Sequence, residues 1–395
     1  MTAIDPSSRS DRRYLDADSH IMELPNFLRD HAADNELDLV PRLSLSGGGK
    51  LADALDRLDE RGGHAPERID AMIALGSQLL SGPKGYEALG AFNAAERSQA
   101  LDQLGYERQW VFATFSTEQI FSAIKDPAAQ AASIAAHNRG MAAFCANDDR
   151  LIGVGAAVLD DPSHALVDLE QVIDLGLGAV WVPHRPAGQR SPGHDDLDPF
   201  WARAAEAGIT ILLHIGGHPL QLKTDWMNTG RDVPTDWLGG GENVRGKDMI
   251  AVHHAAETFV GTMVLDGVLE RHRSLRVGVV ELGAGWVPAM LRRLDLIAEI
   301  WKRSEPELAG LTRTPSEQIT EQMAFTPYPF EDVGQLIRES NADLYLFSSD
   351  YPHIEGGRNP HGRFETSLAG FDDDVLDKFY SENMARLMGW ASPTD

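Results

Sequence analysis

Among 395 residues the chain holds one cysteine, Cys145, which excludes an intrachain disulfide and a thiolate metal cluster. Any resident metal has to rest on His, Asp and Glu, and a lone thiol fits a reducing cytoplasm. Basic charge is scarce as well: 35 Lys and Arg against 60 Asp and Glu leave a formal net charge of −25. A protein that tracks a phosphate backbone needs the opposite sign, so nucleic acid is not the expected partner, and the acidic surplus reads as solubility. Long apolar runs are missing too. No stretch approaches the roughly 18 consecutive apolar residues of a membrane span, and residues 1–13 are polar and mixed in charge, without the apolar segment of a secretory signal. The expectation is a soluble cytoplasmic protein with no membrane contact. A Gly-x-Gly-x-x-Gly turn after the first strand is absent, since Gly47-Gly48-Gly49 follows no strand, and this argues against a doubly wound dinucleotide-binding sheet. There is no internal repeat.

What is present is a repeating alternation of apolar runs and helical patterns. Strand-like runs occupy residues 15–20, 109–115, 151–159, 178–183, 209–214, 276–282, 321–325 and 343–347. Between them, helical spacing covers 94–104, closed by Gly105, and then 127–147, 162–175, 197–207, 251–272, 287–302 and 329–339, with an amphipathic helix at 373–388. The strand cores are apolar throughout rather than alternating, as a parallel sheet covered on both faces requires. About eight strands separated by helices predict an α/β fold, a TIM (β/α)8 barrel with loop and helical insertions. We expect one domain over residues 1–395, with insertions at about 25–92 and 216–250. The second of these is rich in Gly, Asp, Trp and Asn and has little periodicity, which suits a lid or binding loop.

The polar residues that close the strands carry the chemistry. In Leu15-Asp16-Ala17-Asp18-Ser19-His20, extended backbone places Asp16, Asp18 and His20 on one face. A carboxylate and an imidazole two residues apart on a strand can reach one cation at the roughly 2.0–2.2 Å of zinc ligands. The run 209–213 ends in His214, the run 276–280 in Glu281, and the last in Ser348-Ser349-Asp350. An unpaired charge at the end of a buried strand costs several kcal/mol unless a partner or ion offsets it. Four strand ends with metal-type donors, at the barrel face where active sites sit, predict a metal centre.

Asp18-Ser19-His20, Leu213-His214-Ile215-Gly216-Gly217, Glu281-Leu282-Gly283-Ala284-Gly285-Trp286 and Ser348-Ser349-Asp350-Tyr351-Pro352-His353 with Glu355-Gly356 resemble the signature stretches of the amidohydrolase superfamily. More narrowly they resemble its amidohydrolase-2 branch, which includes aminocarboxymuconate-semialdehyde decarboxylase and the resorcylate-type decarboxylases. The likeness runs from about Leu15 to Trp390. It implies a distorted (β/α)8 barrel holding a divalent metal, with Asp18, His20, His214 and Asp350 as ligands and Asp350 also moving a proton. The chain departs from that pattern at Glu281, where the decarboxylases often carry a histidine. Glu281 can act as a base or bridge a second metal, but it cannot serve as an imidazolium acid; His254, beside His253, is a candidate to restore an imidazole. No lysine closes a middle strand where binuclear hydrolases hold a carbamylated one, and His184-Arg185 stands there instead.

Two reactions suit this set. In hydrolysis, metal-activated water attacks a carbonyl of a small carboxylate or carbonyl compound, with Asp350 as base. In non-oxidative decarboxylation, an aromatic or unsaturated acid chelates the metal and loses carbon dioxide. A dinuclear centre with Glu281 as extra ligand and an inactive barrel subunit of a complex are the remaining readings. His184, Arg185, Trp286 and His353 are candidate substrate contacts, with Arg358 and Arg363 as further cations after a strand end, because arginine pairs a carboxylate bidentately. Zinc is the expected metal, with manganese or iron as alternatives for an Asp/His/His/Asp set. The partner is a small-molecule substrate, and a homodimer or larger assembly is expected.

Overall fold

The computed structural model describes residues 12–45, 49–219, 222, 224–232 and 244–390. Seven strands form one sheet in chain order: β1 (Leu15–Ile21), β2 (Arg108–Ala113), β3 (Leu151–Ala156), β4 (Ala179–Trp181), β5 (Thr210–His214), β6 (Arg276–Val280) and β7 (Met323–Phe325). Every neighbouring pair is parallel, with a helix between most successive strands. The strands are buried almost throughout, which is why their sequences are continuously apolar.

Local chemistry sets the helix ends. The Asn93 side chain accepts the Glu96 N–H to start Ala94–Leu104, and Gly105 ends it in the left-handed conformation that glycine adopts without strain. The helix expected over 251–272 is two pieces, His254–Leu265 and Val268–Arg271, broken where Gly267 turns to φ 75°. The helix expected over 329–339 begins at Val333, capped by Asp332. The final helix runs Asp373–Asp377, a π turn at Lys378–Glu382, then Asn383–Met388.

The eighth run differs most from expectation. Residues Ala342–Leu344 form a 3-10 turn, and the extended segment starts at Tyr345 rather than Asp343. Leu346 N–H donates to Phe325 O of β7 (3.0 Å), Ala17 N–H of β1 to Phe347 O (3.0 Å), and His20 N–H to Tyr351 O (2.7 Å). The segment thus bonds to both outer strands of the sheet, yet forms only isolated bridges, Phe325 with Tyr345 and Ser19 with Tyr351. Two competing acceptors explain the irregularity. Phe347 N–H goes to Phe379 O (2.9 Å), and Ser349 N–H goes to the Asp16 carboxylate (2.8 Å), so neither is free for a ladder. The structure therefore shows seven parallel strands in a curled α/β sheet.

Of the two expected insertions, the first packs through His64, whose ring and backbone N–H both meet the Glu96 carboxylate (2.6 and 2.7 Å). In the second, Thr224–Met227 is helical and Asp248–Ile250 is a 3-10 turn; residues 220–221, 223 and 233–243 lie outside the described residues. No described helix is long and apolar enough to cross a membrane.

Candidate metal centre

Four elements bring donors to one point at the C-terminal end of the sheet. The Asp18 Oδ1 lies 3.2 Å from His20 Nε2 and 3.4 Å from His214 Nε2, and Glu281 Oε2 lies 3.4 Å from His214 Nε2. Asp350 Oδ1 is 3.5 Å from His20 Nε2 and 3.0 Å from His353 Nδ1. All six residues are buried. Asp18, His20, His214 and Glu281 can offer ligand atoms within 4.8 Å of one another, and so can His20, Glu281, Asp350 and His353. The two groups share His20 and Glu281.

Tautomers decide what this proximity means. His214 Nδ1 lies 2.7 Å from Ile215 O and His20 Nδ1 lies 3.3 Å from Ala113 O. A carbonyl only accepts, so each Nδ1 carries the hydrogen and each Nε2 turns its lone pair toward the carboxylates. Neutral imidazoles facing carboxylate oxygens at 3.2–3.5 Å repel unless a cation stands between them. Burial, with the neighbouring His353 ring, pushes His20 down to about 4, so it is neutral at pH 7 and ready to ligate. Both Asp350 oxygens and His20 Nε2 are buried without a hydrogen-bond partner. The donor set fits a divalent cation with nitrogen and oxygen ligands.

The carboxylates are aimed by backbone strain. Glu281 (φ 53°) and Asp350 (φ 51°) are the two described non-glycine residues in the left-handed region, and both point into the centre. Each is held on both sides. Glu281 N–H donates to Thr326 Oγ1 (2.8 Å) and its carbonyl accepts from Tyr328 OH (2.8 Å). Asp350 N–H donates to Asp18 O (2.9 Å) and its carbonyl accepts from His353 N–H (2.7 Å). Gly356 approaches so closely that a Cβ would lie 2.2 Å from Ser349 O and 2.9 Å from Asp350 Cβ.

Asp18, His20, His214, Glu281 and Asp350 come together, and His353 joins them. His353 was expected against substrate, but its Nε2 faces Thr114 Oγ1 (2.9 Å) and its ring stacks on His20 at 3.9 Å, which puts Nδ1 among the ligand atoms. Asp16 does not join, despite the expected shared face. The β1–β2 register shifts between Asp16 and Ser19, and the Asp16 carboxylate instead accepts from Gln109 Nε2 (2.6 Å) and Ser349 Oγ (2.6 Å). His254 stays outside the cluster, exposed at the start of its helix with its ring against His253. Trp286 packs on Phe325 and His253, and its indole N–H donates to Gly283 O (2.9 Å), so it braces the rim. Arg358 and Arg363 are exposed. Arg185 is bound to Asp160 (2.6 Å), so its charge is already matched. With His184 it lines a separate cavity of about 450 Å³.

Sequence reading missed the supports. Glu23 accepts the backbone N–H groups of Thr114 (2.8 Å) and Ser116 (2.9 Å) and so fixes the end of β2. Arg97, fully buried, donates to His20 O and sits over the Tyr351 ring (5.2 Å). Glu23 shows in the sequence only as a charge in an apolar run, and Arg97, among Glu96, Ser98 and Gln99, gives no signal at all.

An amidohydrolase family model matches residues 64–390. No curated protein matches the chain. Among solved structures, an amidohydrolase from Mycobacterium avium subsp. paratuberculosis K-10 is similar at 23% identity and TM-score 0.71, over 96% of this chain and 100% of that one. A 2,6-dihydroxybenzoate decarboxylase from Rhizobium is similar at 18% identity and TM-score 0.59, over 96% and 99%. A 5-carboxyvanillate decarboxylase from Novosphingobium aromaticivorans DSM 12444, complexed with manganese and 4-hydroxy-3-methoxy-5-nitrobenzoic acid, is similar at 14% identity and TM-score 0.62, over 98% and 99%. At these identities the likeness concerns the fold.

Proposed function

The chain belongs to the amidohydrolase family, an enzyme family of hydrolase or carboxy-lyase type, and from that premise we propose that Asp18, His20, His214 and Asp350 hold a divalent cation for hydrolysis of a small carboxylate or carbonyl compound. The observation that carries the reading is the facing of neutral imidazole lone pairs and buried carboxylate oxygens across 3.2–3.5 Å. Zinc suits the donor set, and the manganese of a similarly folded relative makes that metal the alternative. When bound, such a cation supplies Lewis acidity, polarising a carbonyl and lowering the pKa of a water to about 7.

The chain's own residues do the rest. Asp350 takes the proton from the attacking water at a carboxylate oxygen and returns it to the leaving group. Its strained backbone, pinned at the Asp350 N–H by Asp18 O (2.9 Å) and at the Asp350 carbonyl by His353 N–H (2.7 Å), holds that carboxylate in place. Glu281 braces the centre opposite and, with His353, completes a donor set for a second cation. The segment from Tyr345 to Tyr351, bonded to β7 and β1, closes the sheet into a distorted (β/α)8 barrel, and the whole chain is one domain around it. The single thiol suits the cytoplasm. Leu296, Ile300 and Trp301, exposed on helix Val287–Trp301, suit a homodimer or larger assembly.

Decarboxylation is the second reading, supported by the His353 imidazole beside Asp350 and by the activities named for two similarly folded proteins. There Asp350 would take the proton from the substrate's acid or hydroxyl group and deliver it to the carbon that loses carbon dioxide. The two reactions are separated by turning over amide, lactone and aromatic-acid panels in labelled water. Hydrolysis places oxygen-18 in the product, whereas decarboxylation releases gas and places deuterium on carbon. His214→Ala and Asp350→Asn are each expected to lower turnover by about 10² or more while circular dichroism is unchanged. Full turnover and full metal content in both variants would refute the metal-centre reading.

A further inference from the structure

The first insertion brings a positive charge beside the metal centre. Hydrogen bonds stitch its last stretch to the end of β1 and to the segment that bears Asp350: Gly85 N–H donates to Pro352 O (2.8 Å), Tyr351 OH to Leu89 O (2.7 Å) and Met22 N–H to Ala91 O (2.7 Å). Lys84 is thereby set next to Tyr351, with its Nζ 5.9 Å from the ring centre. That Nζ is buried and has no hydrogen-bond partner.

Burial pushes the ammonium down to about 8, which leaves it charged at pH 7, and the carboxylates that most support its charge are Asp350 and Glu355. Both line the small cavity of the metal centre, together with Asp18 and Glu281. Glu355 Oε2 is itself buried without a hydrogen-bond partner, and Glu355 belongs to neither group of ligand atoms. The cavity therefore holds more carboxylate than its donor sets use. Arg97 is a second buried cation near the Tyr351 ring, but it donates to His20 O, whereas Lys84 donates to nothing. Arg358, also nearby, is exposed to solvent. An ammonium bonded to no carboxylate acts on these acids through its field, which water screens little at a buried site.

We propose that Lys84 is the built-in countercharge of the metal centre, a positioning residue that acts through Asp350 and Glu355: it balances their charge when the cation is absent and weakens the hold on the cation when it is present. This rests on the metal-centre reading above, and the test separates the two.

The first measurement is zinc affinity of the full-length protein at pH 7, by competition with a chelating dye. Lys84→Met keeps the length of the side chain and removes its charge, so it is expected to hold zinc roughly tenfold more tightly, because a like charge no longer repels the ion. Lys84→Arg keeps the charge and is expected to match the native protein. Loss of a merely structural side chain would loosen the centre instead. Zinc held equally or less tightly by Lys84→Met, or more tightly by Lys84→Arg as well, overturns the inference.

The second measurement is melting of the chelated protein. Glu355→Gln is expected to raise Tm more in the Lys84→Met background than in the native chain, because only there does the carboxylate lack its countercharge. An equal change in both backgrounds overturns the inference. If Lys84→Met does not fold, Lys84→Met with Glu355→Gln is expected to, and a double variant that also fails overturns it. A native protein that takes up neither zinc nor manganese overturns the metal-centre reading, and the melting comparison then decides by itself whether Lys84 balances these acids.

Discussion

Thr114 gives the sharpest test of how the centre is held. Its hydroxyl has one hydrogen, which it donates to Ile21 O at 2.8 Å, so toward His353 Nε2 at 2.9 Å it can only accept. His353 must then carry its hydrogen on Nε2 and direct Nδ1 at Asp350, 3.0 Å away. Thr114→Val keeps the shape and removes both bonds. It takes one hydrogen bond each from the buried Ile21 carbonyl and the His353 ring, at about 1–3 kcal/mol each. At about 2.1 cal/mol/K per residue, a 395-residue chain loses about 2–7 °C in Tm for a total of about 2–6 kcal/mol. Freeing the ring to flip or change tautomer also weakens the centre, by about 10–100-fold in metal affinity where comparable supports of ligand histidines have been removed. Calorimetric melting and metal analysis after dialysis read the two effects, and Thr114→Ser should restore both. A Thr114→Val protein with native Tm and native metal retention would show that the hydroxyl does not set the His353 tautomer.

Gly356→Ala should cost activity more than stability, because the new Cβ collides with Ser349 O at 2.2 Å and pushes Asp350 off its aim; native turnover at native metal content would refute this. Asp168 is a buried carboxyl that accepts the Val158 N–H at 3.5 Å and has His164 Nε2 at 3.9 Å, and burial raises it to about 8. Its folded value exceeds its unfolded one, so its favourable contribution is complete below about pH 4 and is lost as pH rises toward 8. Asp168→Asn should therefore raise Tm more at pH 8 than at pH 5, and an equal change at both would contradict the assignment.

Much of the candidate metal centre is legible in the sequence because strand ends are conspicuous. His214 closes an apolar run, and Asp350 follows another, so each stands out as a polar residue that burial would penalise without a partner. His353 was visible as part of the same motif but was placed against substrate. Nothing local shows that Thr114, 239 positions earlier, accepts its Nε2–H and turns the ring inward. Arg185 is the complementary case: it stands out in the sequence as a cation after a strand end, and only the fold shows Asp160 on it at 2.6 Å.

The order of apolar runs and helical spacings was sufficient for a parallel α/β sheet, because period and burial are local properties of a chain. So was the list of donors, because residue type alone decides what can ligate. Three-dimensional packing decided which donors meet and how they point. The register shift after Asp16 sends one carboxylate to Ser349 and leaves Asp18 with the histidines. The left-handed turns at Glu281 and Asp350 aim two more inward. Those outcomes depend on contacts between residues far apart in the chain, and no local pattern encodes them.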